Sequence, residues 1–140
     1  MNKRIVFKTL DGGCGVIIPT AKALLKMTIE QIAYKDVPEG LDWRIVDIDS
    51  IPSDRTFRAA WTDALPTVTV DVDMPKARAI HMVNLRKIRN EKLKALDVEQ
   101  LKGNDVTAQK QALRDMPDNV NLTVIDTPEE LKNYKPEILL

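Results

Sequence analysis

At 140 residues, with 44% apolar and 30% charged side chains, the chain has globular composition and room for one ordinary domain, or for a small domain with a helical extension. A large enzyme and a disordered chain are both excluded. Lys plus Arg and Asp plus Glu number 21 each, so no net charge draws the protein to nucleic acid or to an anionic membrane. One cysteine and one histidine exclude an intramolecular disulfide, supply too few ligands for a zinc site and fit a reducing compartment.

The first stretch, RIVFKTLDGGCGVIIPT, predicts a β-hairpin: two β-rich runs, 4–9 and 15–18, around a Gly-rich turn, with Pro19 closing the second. Lys8 and Asp11 interrupt the apolar run that a signal peptide needs, and no other run approaches the roughly 20 residues that span a bilayer, so a soluble chain is expected. Thr20 is placed to cap a short helix, and Thr28 with Gln31 forms the capping box of a second, whose apolar face is Ile29, Ile32 and Ala33. Pro38-Glu39-Gly40 stops it.

DWRIVDIDSIP alternates Trp43, Ile45 and Asp47 against Arg44, Val46 and Ile48 and predicts a strand ending before Pro52. Ser53 as N-cap, with Phe57, Ala60, Trp61 and Ala64 at three- and four-residue spacing, predicts a further short helix ended by Pro66. TVTVDVD, residues 67–73, reads as a strand or as an extended linker without a partner in this chain, which puts the boundary between two halves at 66–74.

From Pro75 the pattern is helical for about seven turns, and Gly103-Asn104 is a stop signal. Asp105 caps a returning helix expected to end before Pro117, so 75–117 reads as an αα-hairpin. The long arm carries Ala77, Ile80, Leu85, Ile88, Leu93, Leu96 and Leu101. The short arm answers weakly with Val106, Ala108, Ala112 and Leu113, so much of the hairpin is expected to need another chain or solvent. In the tail, 118–140, Thr127-Pro128 with Glu130 predicts a short capped helix. The expected class is therefore α+β: a small N-terminal β-hairpin-containing α/β domain over 1–66, the long-helix αα-hairpin, and a short C-terminal helix.

Chemistry-bearing residues are sparse. DGGCG lacks the Gly-Lys-Ser/Thr of a phosphate loop and reads as a hairpin turn with an inert Cys14. His81 has leucine at the i+4 position where a second metal ligand would stand, and reads as a surface or interface histidine. Asp47, Asp49, Asp54, Asp71 and Asp73 lack the Gly and distal Glu of a calcium loop and read as solvated edges and caps. Phe57, Trp61 and Trp43 read as core. Lys76, Arg78, Arg86, Lys87, Arg89, Lys92 and Lys94, opposed over that span only by Glu91, form a candidate basic stripe that a polyanion could use, though no aromatic stacking residue accompanies it. Ile80, Leu85, Ile88, Leu93, Leu96 and Leu113 form the candidate interaction surface. No catalytic group, cofactor or metal is expected.

The segment from about Met74 to Pro136 resembles a recurrent element of tailed-bacteriophage tail proteins. Ile80, Arg86, Arg89, Lys92, Leu93, Leu96 and Asp97 match its long helix; Gln111 to Asp115, with Pro117, match a QALRD close also found in tail-fibre assembly chaperones. Thr127 to Lys132 match its terminal TPEELK. TIEQIAYKDVPEG, DWRIVD and IPSDRTFRAAW are similar to a segment that accompanies this element in phage and prophage proteins. The resemblance implies a non-enzymatic virion protein, tail- or fibre-associated, assembled in the host cytoplasm with other tail proteins or copies of itself. The alternatives are an assembly chaperone absent from the mature particle, and a helix-mediated nucleic-acid binder. Neither nucleic acid nor membrane is the expected partner.

Overall fold

The computed structural model describes residues 2–63 and 70–140 and divides the chain into two compact units, Met1–Asp73 and Met74–Leu140. The class is α+β, as the sequence predicts.

In the first unit, β1 (Lys3–Lys8) is the middle strand of an antiparallel sheet, between β2 (Cys14–Ile17) and β3 (Trp43–Asp47). The register stacks Ile17, Ile5 and Ile45 in one row, and Gly15, Phe7 and Trp43 in the next row on that face. Gly15 is required there: a Cβ would stand 2.1 Å from Cζ of the Phe7 ring. Two short helices, α1 (Ala21–Leu24) and α2 (Ile29–Asp36), cover these rows, and Ile32, Ala33 and Val37 bury against Ile5. Both caps form as the sequence predicts. Thr20 Oγ1 accepts from Ala23 N–H, and Thr28 and Gln31 close a reciprocal box.

The other sheet face is also buried. Val6, Cys14 and Val46 pack with Trp61 and Val70, so the strands alternate between two apolar layers rather than between core and solvent. Trp61 arrives there in an element the sequence misassigns. The helix expected from Ser53 is instead an Asx turn, a single 3₁₀ turn over Arg58–Ala60, and β4 (Trp61–Thr62). Asp54 Oδ1 accepts from the Thr56 N–H at 2.9 Å and its hydroxyl at 2.6 Å, which closes the chain locally where a first helical turn would have to form. β4 then gains a non-local partner in β5 (Asp71–Val72), with Trp61 opposite Val72. Ala64 and Pro66, and the first part of the 67–73 run, lie outside the described residues. Its end pairs within the chain, since Val70 N–H also reaches Ser50 O at 2.8 Å, and the unit boundary falls at 73/74.

The second unit starts with α3 (Met74–Leu101). Gly103, at φ +93°, ends it in a Schellman arrangement: its N–H bonds Gln100 O, and Asn104 N–H bonds Glu99 O. The chain returns as α4 (Thr107–Asn119), held to α3 by Lys110, which pairs with Asp97 and donates to Gln100. Asp105 contributes an Asx bond to the Thr107 N–H, while Val106 stands at the helix boundary. Contrary to expectation, α4 continues through Pro117. In the last turn the ring forfeits one backbone bond, and burial of Leu113 and Met116 on one face holds that turn in place.

The expectation that the hairpin buries little is also corrected. The tail packs back over it through two 3₁₀ turns and α5 (Pro128–Asn133), capped by Thr127. Leu122, Ile125, Leu131 and Leu139 are buried with Ala77, Leu85, Leu113 and Met116. A leucine so buried contributes about 1.5–3 kcal/mol, so the tail supplies much of this unit's core. Beyond Leu96 the end of α3 runs bare, with Val98 half-exposed and Leu101 exposed, and Val83 is half-exposed nearer its start.

Candidate functional site

His81, expected at the surface or in an interface, is instead enclosed within its own unit. It is buried, and Nε2 donates to Tyr134 O at 2.8 Å, tying α3 to the end of α5. Arg78, one turn before it, donates to Ile125 O at 2.9 Å and stands 3.5 Å from Asp126. Two residues singled out for chemistry or charge thus fasten the tail to the long helix.

Cys14 faces the Trp61 layer. Burial first, then the Asp63 carboxylate, raise its thiol from 9.0 to about 11, against the pull of Arg58 and Arg44, so it is a protonated core residue at neutral pH. The unpredicted electrostatic feature of this unit is the pair of Arg44 and Asp63. Asp63 is buried and accepts a forked contact from the Arg44 guanidinium. Removing one member of such a pair costs about 3–5 kcal/mol. Strand alternation carried part of this signal, since Arg44 lies on the same face as buried Val46; Asp63 was hidden by the helix assignment. Beside them, Arg58 sits 4.6 Å from the Trp61 ring centroid and donates to Cys14 O, joining β4 to the hairpin.

Of the acidic residues, Asp47 pairs with Lys3, and Asp54 serves its own turn. Among the described residues no group of three or more His, Cys, Asp or Glu is placed to hold a metal ion. No described helix is long and apolar enough to cross a membrane.

The basic residues of α3 do not form one stripe. At about 100° per residue, Lys76, Lys87 and Lys94 share one line, Lys92, Arg78 and Arg89 lie roughly 160–220° around from it, and Arg86 at about 280°. Arg78 is committed to the tail, Arg89 to Asn90, and Lys94 to Glu91. The six apolar candidates also divide. Leu85 and Leu113 are buried core, whereas Ile80, Ile88, Leu93 and Leu96 are half-buried. Of these, the structure brings Leu96 and Leu113 together in an apolar groove of about 400 Å³, with Ala95, Ala112 and Ile138. Ala112, part of the short arm's weak apolar face, is exposed, and Ile138 carries no periodic signal because the tail's fold places it there. A second apolar hollow, lined by Leu24, Leu25, Met27 and Ile29, lies beside α1 and α2 in the first unit.

No protein-family model matches this chain, and neither a curated protein nor a solved structure matches it.

Proposed function

We propose that this is a non-enzymatic structural protein of a tailed bacteriophage, tail- or fibre-associated, that acts through protein–protein contacts in the particle. The carrying observation is the use made of its reactive side chains. His81 and Cys14 each serve a fold contact, as does the Arg44–Asp63 pair, while apolar surface stays open on both units. Leu10, Ile18, Leu25 and Tyr34 are exposed in the first unit, and the Leu96 groove in the second. The resemblance of residues 74–136 to a tail-protein element supplies the setting. Because the tail buries much of the hairpin, the open apolar surface that supports this reading in the second unit is that groove and the end of α3.

Mass spectrometry of gradient-purified virions tests the reading, with copy number measured against the major capsid protein. A fixed, symmetric copy number is the expected result. Abundance in the infected-cell lysate with absence from intact particles would reject it in favour of an assembly chaperone.

A further inference from the structure

Two shallow grooves lie side by side along α4 and share Ala112 and Ile138. The first, about 400 Å³, runs over Ala95, Leu96 and Leu113 and has Lys92 on its α3 side. The second, about 480 Å³, runs over Met116 and Val120 toward the C-terminal turn, and its lining includes Asp115 and Glu137. Ala112 and Ile138, at the shared centre, are both exposed. The joined strip is thus apolar in the middle, with a cation on one side and two carboxylates on the other. Arg114, next to Asp115, points about 160° around α4 from Ala112 and does not neutralise that end.

We infer that this strip is the contact between two copies of this chain, related by a two-fold axis crossing it at Ala112. A two-fold operation lays each end of a patch against the opposite end of its mate. Lys92 of each copy then meets Asp115 and Glu137 of the other, while Leu96, Ala112 and Ile138 meet across the axis. Opposite charges at the two ends are what self-recognition requires; a groove charged alike at both ends would instead call for a foreign partner. The contacts given up are weak: Lys92 Nζ stands 3.5 Å from Leu140 O, and Asp115 accepts from Gln111 on the solvent side. The exposed methyl-sized side chains of Ala108 and Ala112 let the second copy's backbone approach closely.

This inference rests on the reading of the protein as a contact-forming component, but its test needs no particles, so the two fail separately. The experiment is sedimentation equilibrium of the purified full chain from micromolar to millimolar concentration, with far-UV circular dichroism confirming that each variant is folded. The wild type is expected to dimerise, and Ala112→Arg to stay monomeric. Lys92→Glu and Glu137→Lys should each weaken association by about tenfold. Mixed in equal amounts these two variants should recover it as a heterodimer, because one then carries acid at both ends and the other base at one end and a mixed pair at the other. A wild type that stays monomeric throughout overturns the inference. So does a dimer that is indifferent to both charge changes, or variants that mixing does not rescue, since association would then use another face.

Discussion

Cys14 shows how a residue that looks reactive in sequence is disarmed by its surroundings. Its thiol is raised to about 11 mainly because the thiolate would be buried against Trp61 and Val46, with Asp63 adding repulsion. The folded value exceeds the unfolded one, so the unfolded chain loses this proton first as pH rises. The associated stability is complete below about 9, declines above it, and is gone above about 11. Chemical denaturation followed by Trp fluorescence between pH 8 and 11 should therefore show a loss that Cys14→Ala removes. An unchanged pH profile in that variant would assign the loss to other groups. Alternation along β3 exposes the same logic, because it places Arg44 on an apolar face, where only a buried acid such as Asp63 makes it tolerable.

Among the elements, two N-cap signals, one with a capping box and one without, met different fates. Thr28 has a three-residue partner, Gln31, that returns the bond, followed by an apolar pair, Ile32 and Ala33, that buries on the sheet. Ser53 is followed by buried Phe57 and Ala60 but lacks the returning partner, since Thr56 stands where Gln31 would be, and Asp54 diverts the chain into a turn before Trp61 pairs with Val72. Thr28→Ala should accordingly cost about 1 kcal/mol, whereas Ser53→Ala should stay within about 0.5 kcal/mol. Urea denaturation of the two variants checks the contrast, and a comparable loss at Ser53 would restore a capping role there. The stop at Gly103 was legible for the opposite reason: a left-handed residue after a long helix is a local requirement, independent of what packs nearby.

At the scale of the whole molecule, the C-terminal tail decides most. Its side chains complete the core of the second unit, and its backbone carbonyls at Ile125 and Tyr134 receive Arg78 and His81. Deleting residues 121–140 should strip the cover from Leu85, Leu113 and Met116. The expected result is loss of cooperative thermal unfolding in that unit and binding of a hydrophobic dye, both read on the full-length chain in parallel. Retention of a sharp transition would mean that the helical hairpin is self-sufficient.

Local sequence was enough for the β-hairpin around Gly12-Gly13, the caps at Thr20, Thr28 and Thr127, and the glycine stop of α3. Each depends on residues within a few positions of one another. Tertiary structure alone decided the rest. Whether Trp61 sits within a helix or begins a strand depended on residues 71–72; whether the hairpin's apolar face was free depended on a tail that folds back from beyond α4; and the groove centred on Ala112 exists only where α4 and Ile138 meet. Periodicity records which faces of an element are apolar. It does not record which of them the chain will itself cover, because that is settled by competition among distant segments for the same surface.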